Sequence, residues 1–224
     1  MVILIAGESH TGKTLLAQKL LEAYRYPCLS LDHLKMGLIR SGQCALSPES
    51  DDAELTRYLW PIVREMIKTC IENRQNMIIE GCYIPFGWEN DFPDEYRKEI
   101  AYVCLVFSEG YIKERYADIA RYESVIENRK EACPAPESLL EGNRRNLRQC
   151  ILHSYKYILM DKDYALDIEM IRRLLHTAAP KTMPLRDNEV FFPVRCPSRQ
   201  GIEASCNPLL SVIKEGPCPA KQLS

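Results

Sequence analysis

Met1-Val-Ile-Leu-Ile-Ala6 runs directly into Gly7-Glu-Ser-His-Thr-Gly-Lys-Thr14, a short apolar segment followed by a complete G-x-x-x-x-G-K-T pattern. The apolar segment has the composition of a buried parallel strand. Behind the loop, Leu16, Ala17, Leu20, Leu21 and Tyr24 repeat at helical spacing. A strand, a glycine loop and a helix in that order form a cradle for phosphate. The two glycines let successive backbone N–H groups turn inward, Lys13 reaches the β/γ-phosphates, and the Thr14 hydroxyl is offered to Mg²⁺. The helix would begin at the loop, so its dipole adds positive potential there. Gly7, Glu8, Ser9, His10, Thr11, Gly12, Lys13, Thr14 and Leu15 are therefore the candidate nucleotide-binding residues. The backbone does the binding at the four x positions, so His10 needs no special role. The competing reading is a glycine-rich turn that only caps a helix.

The rest of the chain continues the alternation. Tyr26 to Leu31 reads as a second strand ending at Asp32, and His33 to Arg40 as two helical turns, with a loop from Ser41 to Pro48. Asp51 to Asn73 carries apolar residues at helical spacing, with Ser50 or Asp51 as its N-cap. Pro61 is expected to kink that helix or to start a second one. Asn76 to Glu80, closed by Gly81, is a third strand, and Ala101 to Phe107 a fourth. Helical stretches follow at Glu109 to Arg129 and Glu137 to His153, separated by Cys133 to Pro136. Tyr157 to Met160, ending at Asp161, is the fifth strand, and Leu166 to Leu175 a closing helix. Five apolar strands alternating with helices predict an α/β three-layer sandwich, a five-stranded parallel sheet covered by helices on both faces.

With 224 residues, the chain suffices for one such domain and is marginal for two. The expected domain spans residues 1–178. Seven of the fourteen prolines fall in residues 180–224, where no sustained period appears, so 179–224 reads as an irregular or disordered tail. A formal net charge of −2 gives no electrostatic case for nucleic acid or an anionic membrane. The apolar start is too short for a secretory leader and lacks a basic region, and no apolar stretch approaches membrane-spanning length. The ten cysteines, at 28, 44, 70, 82, 104, 133, 150, 196, 206 and 218, show no C-x-x-C and no histidine at ligand spacing. Reduced thiols in a cytoplasmic protein fit best, with Cys28 and Cys104 as small hydrophobes inside apolar runs.

In an open parallel sheet, ligands sit beyond the carboxyl ends of the strands. The residues there are the glycine loop, Asp32, Glu80-Gly81, Ser108 and Asp161. With this set the chain resembles the P-loop small-molecule kinases: the nucleoside and nucleotide kinases, shikimate and gluconate kinases, chloramphenicol phosphotransferase and the zeta toxins. The resemblance covers roughly residues 1–165 and rests on Gly7–Thr14, Asp32 and Glu80-Gly81. Within the group, Leu31 to Ile39 together with Glu80 to Pro85 looks like bacterial proteins named 2-phosphoglycerate kinase or adenylate kinase-like.

The resemblance implies ATP and Mg²⁺ as cofactors, a small-molecule phosphoryl acceptor as partner, and a helical lid at about residues 110–150. Asp32 would orient or deprotonate the acceptor hydroxyl; its alternative reading is a cap on the following helix. Glu80 would hold Mg²⁺ with Thr14, where the family more often has Asp. Lys35, Arg40 and Arg64 are candidates for binding an anionic acceptor, beside Gly81. Of the lid-region arginines, 115, 121, 129, 144, 145 and 148, the expected phosphate-clamping pair is Arg121 and Arg145. Asp161 to Tyr164 should lie near the adenine. Two further readings are a nucleotide-gated regulatory ATPase and a zeta-type toxin kinase. No N-K-x-D run marks a switch GTPase.

Overall fold

The first strand explains the layout of the rest. In β1, Val2–Gly7, every residue is buried. Val2, Leu4 and Ala6 enter one apolar cluster and Ile3 and Ile5 the other. A strand that alternates between two dry faces must be apolar throughout, which is why the sequence shows a run instead of an alternation. The computed structural model of the chain describes residues 1–122, 133–164 and 166–176. The expected tail, residues 179–224, and Arg129 lie outside the described residues.

Four more strands pair with β1 directly or through a neighbour: β2 Cys28–Ser30, β3 Met77–Glu80, β4 Ile100–Phe107 and β5 Tyr157–Met160. The sheet order is β2-β3-β1-β4-β5 and every pairing is parallel. The chain runs first to one side of β1 and then, after β3, to the other. The crevice where the direction changes opens at the carboxyl ends of β1 and β3, where open α/β sheets bind ligands.

One face is covered by α3, Asp52–Glu72, through Leu55, Leu59, Trp60, Val63, Ile67 and Cys70. The opposite face is covered by three helices. They are α1, Lys13–Tyr24, α5, Glu109–Arg121, and α7, Ile168–His176. Burying aliphatic side chains this fully contributes about 1.5–3 kcal/mol each. Two further helices are α2, Leu31–Arg40, and α6, Pro136–Leu152, which sends Leu139 into one cluster and Cys150 into the other. The three-layer α/β sandwich expected from the sequence is thus the observed architecture.

Several boundaries differ. Strand β2 is only three residues long, and Leu31 already belongs to α2. As an edge strand, β2 leaves Cys28 exposed, so Cys28 is not the buried small hydrophobe expected, whereas Cys104 in β4 is fully buried. Helix α3 is a single helix across Pro61. Pro61 is exposed, so the Arg57 carbonyl that loses its partner can turn to water, and no second helix begins there. Its N-cap is as expected: the Asp51 carboxylate accepts from Ala53 N–H at 2.9 Å. Helix α5 is described as far as Arg121, with Tyr122 as its C-cap, and the remainder of the stretch expected to reach Arg129 lies outside the described residues. Between β3 and β4 a 3-10 turn, Trp88–Asp91, and a four-residue helix, α4, Asp94–Arg97, carry no sequence periodicity and were not expected. They cover the edge of the α3-side cluster, where Trp88 stacks on Tyr102 at 6.0 Å between centroids.

Candidate functional site

The glycine loop turns back on itself around one carbonyl. Glu8 C=O accepts from Thr11 N–H at 3.3 Å, from the Thr11 hydroxyl at 2.8 Å and from Lys13 Nζ at 2.9 Å. His10 sits at φ 66° and Gly12 at φ 83°. A left-handed backbone at His10 is uncommon for a side chain of that size, and such strain gathers at ligand sites. The Ser9 hydroxyl is 2.8 Å from His10 Nδ1 and fixes that ring. Helix α1 then begins at Lys13 with no side-chain cap, and its dipole adds positive potential at the loop.

Gly12 is held by more than its backbone angle. A Cβ there would lie 1.7 Å from the Tyr164 hydroxyl, which reaches the loop carbonyls of Thr11 and Gly12 at 3.3 and 3.5 Å. The segment after β5, expected near the adenine, is therefore brought against the glycine loop by Tyr164, whose pKa burial pushes up. Gly12→Ala is expected to cost about 1–2 kcal/mol from the left-handed backbone alone, a fall in Tm of roughly 2–8 °C. In a Tyr164→Ala background the cost should shrink toward that backbone share. Differential scanning calorimetry of the four proteins checks this, and an equal cost in both backgrounds would remove Tyr164 from the account.

Lys13 is 4% exposed and Glu80 1% exposed. Glu80 ends β3 between Ile5 of β1 and Ser30 of β2, by register. Burial draws the Lys13 ammonium down, but Cys82, Glu80 and Asp32 together raise it by more, so its pKa stands above the ordinary lysine value. The charges at the ends of β1, β2 and β3 thus act on one another. The Cys82 thiol, absent from the sequence-derived set, belongs to this group; burial pushes it up to about 11, against the opposing pull of the Lys13 charge.

Asp32 lies in the first turn of α2, whose N-cap position is Ser30. The capping reading of Asp32 is therefore corrected: the helix starts one residue before it, and its carboxylate has other partners. Asp32 Oδ1 is 3.1 Å from Lys35 Nζ, and Lys35 donates to the Tyr83 hydroxyl at 2.9 Å. Burial lowers the Lys35 ammonium, and the Tyr83 bond and the Asp32 charge more than reverse this. Tyr83 is 5% exposed and pushed up to about 12, chiefly by burial, so it remains a phenol. Lys35 is consequently a partner of Asp32 rather than a free cation.

The other nominated residues are placed as follows. Gly81 bonds through its N–H to Ile5 C=O at 3.1 Å, holding the end of β3 to β1. Leu15 follows Thr14 in the first turn of α1. Arg40 is exposed at the far end of α2, about 12 Å along the axis from Asp32 at 1.5 Å per residue. Arg64 is engaged by Glu65 at 2.9 Å and by Asp91 at 3.7 Å. Arg121 ends α5, about 18 Å from that helix's loop-side start, with its guanidinium 5.7 Å from the Tyr122 ring centroid. Arg145 is brought to the loop, 3.6 Å from Glu8 Oε2, while Arg144 pairs with Glu109 at 2.5 Å.

Helix α6 reaches the loop because its polar side is buried at the end of β4. Asn143 Oδ1 accepts from Phe107 N–H and its Nδ2 donates to Leu139 C=O, both at 2.8 Å. The signal that could have found this contact is Gly142, a glycine inside a helical pattern, which marks a close approach. Among the described residues no group of three or more His, Cys, Asp or Glu side chains is placed to hold a metal ion. No described helix is long and apolar enough to cross a membrane.

No protein-family model matches the sequence. No curated protein matches it significantly. Among solved structures the chain is similar to a gluconokinase from Sinorhizobium meliloti, 19% identical over 78% of this chain and 89% of that one, with a TM-score of 0.46. A sugar kinase from Janibacter is 17% identical over 71% and 84%, with a TM-score of 0.44. A shikimate kinase from Bacteroides thetaiotaomicron is 16% identical over 78% and 94%, with a TM-score of 0.43. The fold assignment rests on the strand order and the loop geometry above, not on these likenesses.

Proposed function

We propose that the chain is an ATP- and Mg²⁺-dependent phosphotransferase that moves the terminal phosphoryl group of ATP onto an oxygen of a small metabolite. The observation that carries the reading is a buried ammonium, Lys13 at 4% exposed, following β1, and a buried carboxylate, Glu80 at 1% exposed, ending the neighbouring strand β3. A structural glycine turn has no use for a buried ammonium and a buried carboxylate in the same place, since each costs several kcal/mol to desolvate.

The loop N–H groups and Lys13 would bind the phosphates and offset the charge that builds on them during transfer. Thr14 and Glu80 are hard oxygen donors suited to Mg²⁺, which would neutralise phosphate charge and draw the rest of its shell from phosphate and water. Asp32, 38% exposed and tethered by Lys35, faces solvent enough to meet an acceptor. The acceptor oxygen attacks the terminal phosphorus, the bond to the bridging oxygen breaks, ADP departs, and the acceptor proton passes to Asp32. Most of the acceleration is alignment and charge stabilisation, because phosphoryl transfer needs little covalent help.

Incubating the protein with Mg·ATP and a panel of small hydroxyl and phosphate acceptors, read by mass spectrometry, tests this. ATP loss that depends on one acceptor, with a product heavier by one phosphoryl group, is expected. ATP loss at the same rate without any acceptor would replace this reading with the regulatory ATPase.

A further inference from the structure

Glu8 occupies the phosphate loop from both of its ends. Its carbonyl takes the Lys13 ammonium at 2.9 Å. Its carboxylate, only 17% exposed, accepts from Ser9 N–H at 3.0 Å through Oε1 and meets Arg145 Nη2 at 3.6 Å through Oε2. Two cations and one loop N–H, all of the kind a phosphate would seek, are therefore engaged by one residue. Helix α6 is shaped around this carboxylate. A Cβ at Gly142 would lie 1.9 Å from Glu8 Oε2 and 2.4 Å from its Cδ, so a larger residue there would push the carboxylate out of this position. Glycine inside a helix costs about 1 kcal/mol relative to alanine, so position 142 gives up helix stability at the point where Glu8 rests.

We propose that Glu8 is the internal counter-ion of the phosphate subsite: its carboxylate holds Arg145 at the loop, and a nucleotide's β/γ-phosphates take its place. The inference rests on the reading that nucleotide binds this loop. It assigns Arg145 a phosphate contact and gives Glu8 a role that competes with the ligand. The chemistry is a simple exchange of one anion for another, with no covalent step. Arg145 is 61% exposed, so the pair it leaves is worth little and the exchange is easy.

Titration calorimetry with Mg·ATP on the full chain tests it through a double-mutant cycle. Glu8→Gln should tighten Mg·ATP about 2–5-fold when Arg145 is present, the range set by a partly exposed ion pair. In an Arg145→Gln background the same change should have a smaller effect, limited to freeing the Ser9 N–H. Gly142→Ala crowds the carboxylate out without altering charge and should shift affinity in the same direction as Glu8→Gln. An effect of Glu8→Gln that is equal in both backgrounds, or weaker binding in Gly142→Ala, overturns the proposal while Lys13→Ala still abolishes binding. Absent Mg·ATP binding in the original protein, or binding indifferent to Lys13→Ala, overturns the nucleotide reading and this proposal with it.

Discussion

Lys13→Ala is expected to lower phosphoryl transfer by about 10²–10³-fold, the cost of removing one preorganised charge contact of about 3–4 kcal/mol from developing charge. The size follows from how the lysine is held. It is 4% exposed and 2.9 Å from the Glu8 carbonyl, so it is poised without a search over rotamers. Its raised pKa keeps the ammonium charged across the whole neutral range. A raised lysine pKa favours the folded state below the unfolded value of 10.5 and loses that contribution as pH climbs through the folded value. The substitution therefore removes charge at every working pH. It also leaves the Glu80 carboxylate, 1% exposed, with less compensation, so a stability loss of about 1–3 kcal/mol should accompany it. Circular dichroism melting separates the two effects. A folded Lys13→Ala protein with near-normal turnover would sink the phosphotransferase reading.

The strands were legible because a buried parallel strand must be apolar on both faces, and β1, β3, β4 and β5 fall within a residue or two of their apolar runs. Their order in the sheet was not, since the runs of β3 and β4 say nothing of which side of β1 each takes. The sequence suggests a longer β2 than the three residues found because Tyr26 and Leu31 are apolar for reasons of packing beyond the strand. The site divides in the same way. The loop, Asp32 and Glu80 sit at strand ends that periodicity can locate. Cys82, Tyr83 and the α6 contact depend on where distant segments meet, and Gly142 lies 134 residues from the carboxylate it accommodates (142 less 8). A short-range pattern carries no record of such a pairing. Burial also changed the meaning of named residues: Lys35 reads from sequence as a cation for an anionic acceptor and is found bonded to Asp32 and Tyr83.

Asp32→Asn should leave the fold and Mg·ATP affinity unchanged and reduce transfer to the best acceptor by about 10²-fold or more. The structural cost is small on each count. Asp32 is not the N-cap of α2, so no cap is lost. As a first-turn acid it loses a favourable dipole contribution of about 0.3–1 kcal/mol. The ion pair with Lys35 joins a side chain 38% exposed to one 13% exposed, a pair worth about 1 kcal/mol at most, and Lys35 keeps its bond to Tyr83. The chemical cost is large because asparagine keeps the shape but cannot take the acceptor proton. Lys35 makes the contrast sharper: it holds the carboxylate by a 3.1 Å ion pair, so the loss is expected at the transfer step rather than in nucleotide binding. Lys35→Met, which frees Asp32 but leaves it ionised, should therefore give an intermediate loss that falls mainly on kcat. Steady-state rates with the best acceptor, beside calorimetric Mg·ATP affinities, check the pair of variants. Equal kcat in Asp32→Asn and the original protein would take Asp32 out of the chemistry and leave its bond to Lys35 as its whole role.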